Sequence, residues 1–224
     1  MIVHKNTPIL LVGGAPGDVT QLAALCDMVN TVVAADGGLE PLLRLGTTPV
    51  AVIGDMDSVS EQALDALPPG GVHRIDGQDD TDFEKCLRRI EAPLVLGWGF
   101  LGGRVDHELA ALTVLARYPS RRCVLVGASD LVLLCPPELD LDLPEGSRLS
   151  LWPLAPVTGT SQGLRWPIGG LRFAPDQVGG TSNQVIGPVH LRIAAAKMLL
   201  ILPVSALETV LAALRGQTAS WTAL

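Results

Sequence analysis

The sequence predicts an α/β N-terminal domain with a mostly parallel sheet, followed by a C-terminal antiparallel β-sandwich domain and a short terminal helix. In the first half, continuous apolar runs alternate with helical patterns, as in parallel sheets that are buried on both faces. In the second half, short strand-like runs are separated by many prolines and glycines, as in antiparallel sandwiches or barrels. We therefore expect two domains, residues 1–128 and residues 129–224.

The strands predicted in the first half end close to glycine or aspartate residues. They are Ile9–Val12, Thr31–Ala35, Val50–Ile53, Leu94–Leu96 and Cys123–Val126. Asp18 suits the N-cap of the first intervening helix, while Pro41 and Gly46 suit the first turn and the end of the second. Because open α/β sheets bind ligands at the carboxyl ends of their strands, we expect the chemistry at that edge, with Asp36, Asp55 and Asp57 on it.

The strands predicted in the second half are short and irregularly spaced. They are Leu131–Leu134, Arg148–Trp152, Leu164–Trp166, His190–Ile193 and Met198–Leu202. The segment Ala206–Leu214 carries leucine and valine at helical spacing and predicts the terminal helix.

Composition limits the classes of protein to consider. The chain has 224 residues, 48% of them hydrophobic, and a net charge of −7, which argues against a protein that binds the phosphate backbone of nucleic acids. Its four cysteines form no CxxC pair, so a zinc motif is not indicated and a reducing compartment is favoured. The N-terminus does not resemble a signal peptide, and the longest apolar stretch, Met198–Leu202, is too short to span a bilayer. We expect a soluble, cytoplasmic protein that contacts neither membranes nor nucleic acids.

The segment 79–85 concentrates charge at a predicted helix start. Thr81 and Glu84 fit a capping box, in which each side chain satisfies a free backbone N–H group. One helix face is apolar, formed by Phe83, Cys86, Leu87 and Ile90. The opposite face carries Asp82, Lys85 and Arg89. Acids at a helix start also complement the helix dipole, so a structural and a functional role both remain open here.

A second pair of carboxylates, Asp55 and Asp57, follows a predicted strand. Residues two apart in an extended chain point to one side, and such carboxylates are suitable ligands for Mg²⁺. The alternative is a polar turn in which Asp57 or Ser58 caps the next helix. Further acids at the same edge would repel one another unless a metal ion and the cations Lys85 and Arg104 lay between them.

The segment 102–107 combines two glycines with Arg104, Asp106 and His107 before another predicted helix. Backbone N–H groups at a helix start can hold an anion, and Arg104 can bind phosphate oxygens with two hydrogen bonds. The alternative is a tight turn with Asp106 as the N-cap. The glycine-rich segment 13–17 matches neither a Walker loop nor GxGxxG, and a plain strand-to-helix turn is the simpler interpretation.

Taken in order, these motifs resemble those of the thiamin pyrophosphokinase family. The resemblance covers about residues 8–203. It rests on the segments 36–38 (DGG), 54–58 (GDMDS), 78–85 (QDDTDFEK), 102–107 (GGRVDH), 163–167 (GLRWP) and 181–183 (TSN).

The resemblance implies an ATP-dependent diphosphotransferase that moves pyrophosphate from ATP to the thiamin hydroxyl. It implies Mg²⁺ as cofactor and a homodimer with sites at the subunit interface. The implied metal ligands are Asp55, Asp57, Asp79 and Asp82. The implied catalytic residues are these four with Lys85, Arg104 and Asp106, of which Lys85 and Arg104 contact phosphates. The implied nucleotide or thiamin contacts are Asp36, Gly37, Gln78, Thr81, Gly103, Arg104, His107, Trp166, Ser182 and Asn183, with Trp166 stacking on thiamin.

Two alternatives stay open at this level. The first alternative is a kinase of the same fold that acts on another small alcohol. The second is a non-catalytic homologue that binds thiamin-like ligands.

Overall fold

The computed structural model describes residues 1–77, 80–217 and 219–223. The chain forms two compact units, one of residues 1–114 and 121–128, and the other of residues 115–120 and 129–224. Within the described residues, no helix has the length and apolar composition needed to cross a bilayer.

The first unit alternates strands and helices. Its strands are β1 (Val3–His4), β2 (Ile9–Val12), β3 (Val32–Ala35), β4 (Ala51–Gly54), β5 (Val72–Arg74), β6 (Ile90–Glu91), β7 (Val95–Trp98) and β8 (Cys123–Val126). Its helices are α1 (Val19–Asp27), α2 (Leu39–Arg44), α3 (Glu61–Asp65), α4 (Asp82–Arg89) and α5 (Val105–Arg117), with a 3₁₀ turn at Asp36–Gly38 between β3 and α2.

The main sheet of this unit is parallel, in the order β8-β7-β2-β3-β4-β5. Strand β2 lies inside it, where Leu10 pairs with Val32 on one side and with Leu96 on the other. Strands β2, β3, β4, β7 and β8 are buried throughout, so the predicted parallel N-terminal sheet is confirmed. Parallel strands bring their carboxyl ends to one edge, where residues 13–17, 36–38, 55–58 and 99–104 follow β2, β3, β4 and β7.

Helix α4 begins where the sequence predicted. Thr81 is its N-cap, and the Thr81 hydroxyl accepts a hydrogen bond from the Glu84 backbone N–H at 3.3 Å. The predicted apolar face is confirmed, since Phe83, Cys86, Leu87 and Ile90 are all buried. Asp18 is likewise the N-cap of α1, accepting from the Thr20 N–H at 2.8 Å.

The second unit is antiparallel. Its elements are β9 (Asp130–Leu134), β10 (Glu138–Leu141), β11 (Arg148–Pro153), β12 (Gly159–Leu164), β13 (Thr181–Ile193), β14 (Met198–Pro203), a 3₁₀ turn at Val204–Ala206 and helix α6 (Leu207–Gly216). The strand order is β10-β13-β11-β14-β9, with β12 also pairing with β13. The first half of β13 pairs with β11, whereas its second half pairs with β10 and β12, so this one strand belongs to two sheets.

Two strand predictions in this unit need correction. Leu164–Trp166 is not a strand, because β12 ends at Leu164 and the preceding Gly163 has a left-handed φ of 73° that turns the chain. His190–Ile193 is only the end of β13, which continues through Gly187 and Pro188 although that pair predicts a turn. The alternative role of Asp106 as an N-cap is also wrong, since α5 begins at Val105.

Candidate functional site

A cleft of about 780 Å³ opens at the carboxyl edge of the parallel sheet. Its volume lies in the range of small-molecule sites. The lining includes the glycine-rich segment 13–17, the Asp36–Gly37 turn, Thr81 and Asp82 at the start of α4, the guanidinium groups of Arg44 and Arg104, and the His107 ring. The sequence-predicted residues Asp36, Gly37, Thr81, Asp82, Gly103, Arg104 and His107 are therefore brought together at this cleft.

Glycines let the loops of this edge approach one another closely. A Cβ atom on Gly38 would lie 1.9 Å from the Val12 carbonyl oxygen, and one on Gly54 would lie 2.8 Å from the Asp36 Cβ. Asp36 itself has a positive φ of 40°, which is unusual for a residue with a side chain. The backbone is thus held in a costly conformation at the point where Asp36 enters the site.

Asp36, Asp55 and Asp57 form a group whose carboxylate oxygens lie within 4.8 Å of one another. We call these three residues the acid group. Asp36 is buried, and its Oδ1 atom has no hydrogen-bond partner among the described residues. Burial raises the pKa of Asp36, the neighbouring Ser58 hydroxyl opposes this, and the charges of Asp82, Asp55 and Asp57 raise the pKa further. A buried carboxylate oxygen without a partner, beside two further carboxylates, is the arrangement that a divalent cation would complete.

Lys85 is the positive charge built into this region. Its Nζ atom donates to Asp55 Oδ2 at 2.9 Å and to Asp82 Oδ1 at 3.1 Å, and its side chain is only 3% exposed. Burial alone would lower the pKa of Lys85, but the hydrogen bonds to Asp55 and Asp82 outweigh it and the pKa is raised. Lys85 is therefore a buried counter-ion between two acids and does not line the cleft.

The two partners of Lys85 differ in their own ionisation. The hydrogen bond from Lys85 is the main influence on Asp55 and lowers its pKa. For Asp82, burial is the main influence and raises the pKa despite the same lysine. Asp55 is accordingly held as a carboxylate, whereas Asp82 accepts a proton more readily than an ordinary aspartate.

Arg104 and Asp106 form an exposed ion pair at the start of α5. The guanidinium donates through Nε at 3.2 Å and through Nη2 at 2.6 Å to the two carboxylate oxygens. These bonds hold the pKa of Asp106 at about 2. Asp106 thus fixes the orientation of the Arg104 guanidinium at the cleft.

Gln78 and Asp79, which the family resemblance assigns to the site, lie outside the described residues. Their predicted roles stay predictions.

The three predicted thiamin contacts all lie in the second unit. Trp166 follows β12 and is 54% exposed, with the Arg165 guanidinium 5.2 Å from its ring centroid. Ser182 and Asn183 are neighbours on β13, so their side chains point to opposite faces of the strand. Ser182 is exposed, whereas Asn183 is buried and hydrogen-bonds to the Trp166 backbone at both its N–H and its carbonyl.

Sequence reasoning missed several features of the cleft. Asp36 was predicted at the same edge as Asp55 and Asp57 but was not among the predicted metal ligands, although its carboxylate groups with theirs. Trp98, buried at the cleft, donates to Gln21 at 2.9 Å, and Gln21 donates to the Gly127 carbonyl at 2.9 Å. No sequence pattern indicates that pairing, because Gln21 and Trp98 are 77 positions apart.

Comparison with known proteins shows similarity to thiamin pyrophosphokinases. Residues 22–126 match the model described as "Thiamin pyrophosphokinase, catalytic domain". Thiamine pyrophosphokinase 2 of Arabidopsis thaliana is 33% identical over 163 residues, covering 64% of this chain and 61% of that protein. Thiamine pyrophosphokinase of Bacillus subtilis (strain 168) is 26% identical over 190 residues, covering 79% of this chain and 88% of that protein.

The fold is shared with solved structures. Thiamin pyrophosphokinase from Geobacillus thermodenitrificans superposes with a TM-score of 0.73 at 22% identity, covering 88% of this chain and 97% of the other. Thiamin pyrophosphokinase from Candida albicans superposes with a TM-score of 0.74 at 15% identity, covering 91% and 93%.

The matched segments extend over only part of the plant relatives, 61% and 58% of the length of the two Arabidopsis proteins. Residues 22–126 nevertheless include the motif segments 36–38, 54–58, 78–85 and 102–107 and the acid group at the sheet edge. This chain is thus similar to thiamin pyrophosphokinases, and residues 22–126 match the catalytic domain of that family.

Proposed function

We propose that this protein transfers the pyrophosphoryl group of ATP to the hydroxyl group of thiamin, giving thiamin diphosphate and AMP. The observation that carries the proposal is the acid group, with oxygens within 4.8 Å of one another, beside a glycine-lined cleft of about 780 Å³. Phosphoryl transfer depends mainly on positioning and charge neutralisation, and this arrangement suits both.

Mg²⁺ fits the acid group, because the buried Asp36 Oδ1 atom has no partner within the described part of the chain and two further carboxylates lie beside it. Asp36, Asp55 and Asp57 would hold the ion, and the proposed set also includes Asp79 and Asp82. When bound, Mg²⁺ would neutralise polyphosphate charge and polarise the phosphoryl group under attack.

The protein's own residues would handle the rest of the charge. In this proposal Arg104 contacts phosphate oxygens from an orientation fixed by Asp106, while backbone N–H groups near Gly103 and the His107 ring lie along the same cleft. Lys85 neutralises Asp55 and Asp82 and holds the segment after β4 against the start of α4. Asp36, Gly37, Gln78 and Thr81 complete the proposed nucleotide contacts.

The second unit would supply the thiamin-binding and dimerisation part, with residues 1–128 as the catalytic domain. We infer that residues 129–224 form a β-sandwich, which is supported by the membership of β13 in two sheets. Trp166 is the proposed stacking platform for thiamin, with Ser182 and Asn183 nearby, because half-exposed tryptophan suits flat and cationic rings.

The proposal includes a homodimer with its sites at the subunit interface and a cytoplasmic location. The dimer rests on the family resemblance, and light scattering of the purified chain tests it. The location is supported by the four free cysteines.

An assay of AMP formation tests the activity. We expect AMP and thiamin diphosphate to form only when ATP, thiamin and Mg²⁺ are all present. If saturating ATP and thiamin give no AMP, the proposal fails. Turnover with another small alcohol but not with thiamin would indicate a kinase of different specificity. Thiamin binding without turnover would indicate a non-catalytic homologue.

A further inference from the structure

The turn that carries Trp166 is tied to β13 by side chains of two consecutive residues. The Asn183 Oδ1 atom accepts a hydrogen bond from the Trp166 backbone N–H at 3.1 Å, and the Asn183 amide donates to the Trp166 carbonyl at 2.6 Å. The same Oδ1 atom also accepts from the Gln184 N–H at 2.9 Å. One amide side chain therefore satisfies both backbone groups of a residue 17 positions away.

Asn183 has little left to offer a ligand. It is 3% exposed, and both its oxygen and its nitrogen bond to the backbone of the protein. A side chain that lined a ligand pocket would keep a donor or an acceptor free and reachable. The position of Asn183 suits a residue that acts through Trp166.

Gln184 holds the neighbouring residue in the same way. Its backbone carbonyl accepts from the Arg165 N–H at 2.9 Å, and its side-chain Oε1 atom accepts from Arg165 Nη1 at 3.0 Å. The Arg165 guanidinium then lies 5.2 Å from the centroid of the Trp166 ring, within the range of a cation–π contact. Asn183 thus fixes the backbone of Trp166. The Trp166 ring is contacted by Arg165, whose guanidinium is oriented by Gln184.

We propose that Asn183 is a positioning residue, which clamps the Trp166 backbone and so presents the exposed indole to a flat ligand ring. This inference goes beyond the predicted role of Asn183 as a pocket-lining residue. The identity of the ring as that of thiamin rests on the proposed function, whereas the clamp itself rests only on the hydrogen bonds.

A double-mutant cycle in the full chain separates positioning from direct contact. Trp166→Ala, Asn183→Ala and the double variant are compared by KM for thiamin, with KM for ATP measured in parallel. We expect Asn183→Ala to raise KM for thiamin about tenfold, the scale of one well-formed hydrogen bond, and to leave KM for ATP unchanged. In the Trp166→Ala background the same substitution should add almost nothing, because its effect passes through the indole. If the increase in KM for thiamin in the double variant equals the product of the two single increases, Asn183 acts independently of Trp166 by touching the ligand, and the proposal would be wrong.

A spectroscopic measurement tests the clamp without any substrate. Acrylamide quenching is measured for the wild type and for Asn183→Ala, each compared with its Trp166→Phe counterpart to isolate the Trp166 signal. We expect the Trp166 contribution to become more quenchable once the clamp is lost, and an unchanged contribution would overturn the proposal. If thiamin gives no turnover at all, the proposed function has failed, and the quenching result still decides the clamp.

Two further variants keep the experiment interpretable. If Asn183→Ala does not fold, Asn183→Asp serves in its place, because it keeps the acceptor for the Trp166 N–H and replaces the donor to the carbonyl by an oxygen that repels it. Asp140→Asn is the matched control on the paired strand β10, where Asp140 contacts His190 at 2.7 Å. That control should leave thiamin KM and Trp166 quenching as in the wild type, and a change in either would show that the assay reports general disturbance of β13 and would count against the clamp.

Discussion

Asp36 in the first unit and Asn183 in the second are equally buried, each 3% exposed, but their hydrogen bonding differs completely. Asn183 makes three hydrogen bonds within the protein. Asp36 keeps one oxygen without a partner in residues 1–77, 80–217 and 219–223, next to two more carboxylates. The buried polar side chain of the second unit is therefore hydrogen-bonded within the protein at both its oxygen and its nitrogen. The buried carboxylate of the first unit carries excess negative charge that a bound cation would neutralise.

The strongest test of this contrast is Asp82→Asn. If Asp82 belongs to the proposed metal set, we expect kcat to fall by at least about 100-fold while the fold is retained, because a ligand of the bound cation is lost. Steady-state AMP formation and circular dichroism measure the two properties. Asp80→Asn is the control, since Asp80 starts the same segment but pairs with Arg88 at 2.6 Å. Normal activity of Asp82→Asn would remove Asp82 from the proposed metal set.

Trp166→Ala tests the role of the exposed tryptophan in the second unit. We expect KM for thiamin to rise about tenfold and KM for ATP to stay constant, because an exposed aromatic platform is lost without a change at the sheet edge. Trp152→Ala is the matched control, an exposed tryptophan on β11 of the same unit. A change in ATP affinity alone would show that the thiamin assignment is wrong.

Lys85→Met tests whether the built-in cation is structural. Removing it leaves Asp55 and Asp82 without their counter-ion, at a cost of about 2 kcal/mol after allowance for the partial exposure of both carboxylates. For a chain of this size we expect the melting temperature to fall by about 4–8 °C. Mg²⁺ should raise the melting temperature of the variant more than that of the wild type. Arg88→Met, at an exposed position of the same helix, is the control. Equal melting temperatures for Lys85→Met and wild type would contradict the role.

Asp36→Asn should change the melting temperature less than Lys85→Met does, and in the opposite direction. The pKa of Asp36 is raised in the folded protein, so its charged form destabilises the fold above that pKa, and the asparagine should raise the metal-free melting temperature by about 2–4 °C at pH 7. The gain should disappear as the pH falls through the raised pKa toward 3.8, the ordinary pKa of an aspartate side chain.

Calorimetry should show weaker Mg²⁺ binding by Asp36→Asn. Asp57→Asn, at the exposed member of the acid group, should weaken Mg²⁺ binding without the gain in stability. If Asp36→Asn is less stable than the wild type at pH 7, the charge of Asp36 does not destabilise the metal-free protein and the hypothesis is wrong.

Local patterns predicted much of the first unit. The strand cores and the caps at Asp18 and Thr81 follow from residues a few positions apart, and the structure contains them. Lys85 shows where such reasoning ends. Helical spacing placed it on the charged face of α4, but its pairing with Asp55 joins residues 30 positions apart. The Asn183 clamp is of the same kind, because it joins residues 17 positions apart through a turn whose path depends on Gly163.

The close approach of glycines at the sheet edge has a consequence for engineering and for sequence divergence. Replacing glycine by alanine is a common route to higher thermal stability where the backbone allows it. Here a methyl group on Gly38 would meet the Val12 carbonyl oxygen, and one on Gly54 would push against Asp36. A substitution of either glycine would require the neighbouring loop to move. We therefore expect the sequences of these loops to change together or to stay as they are.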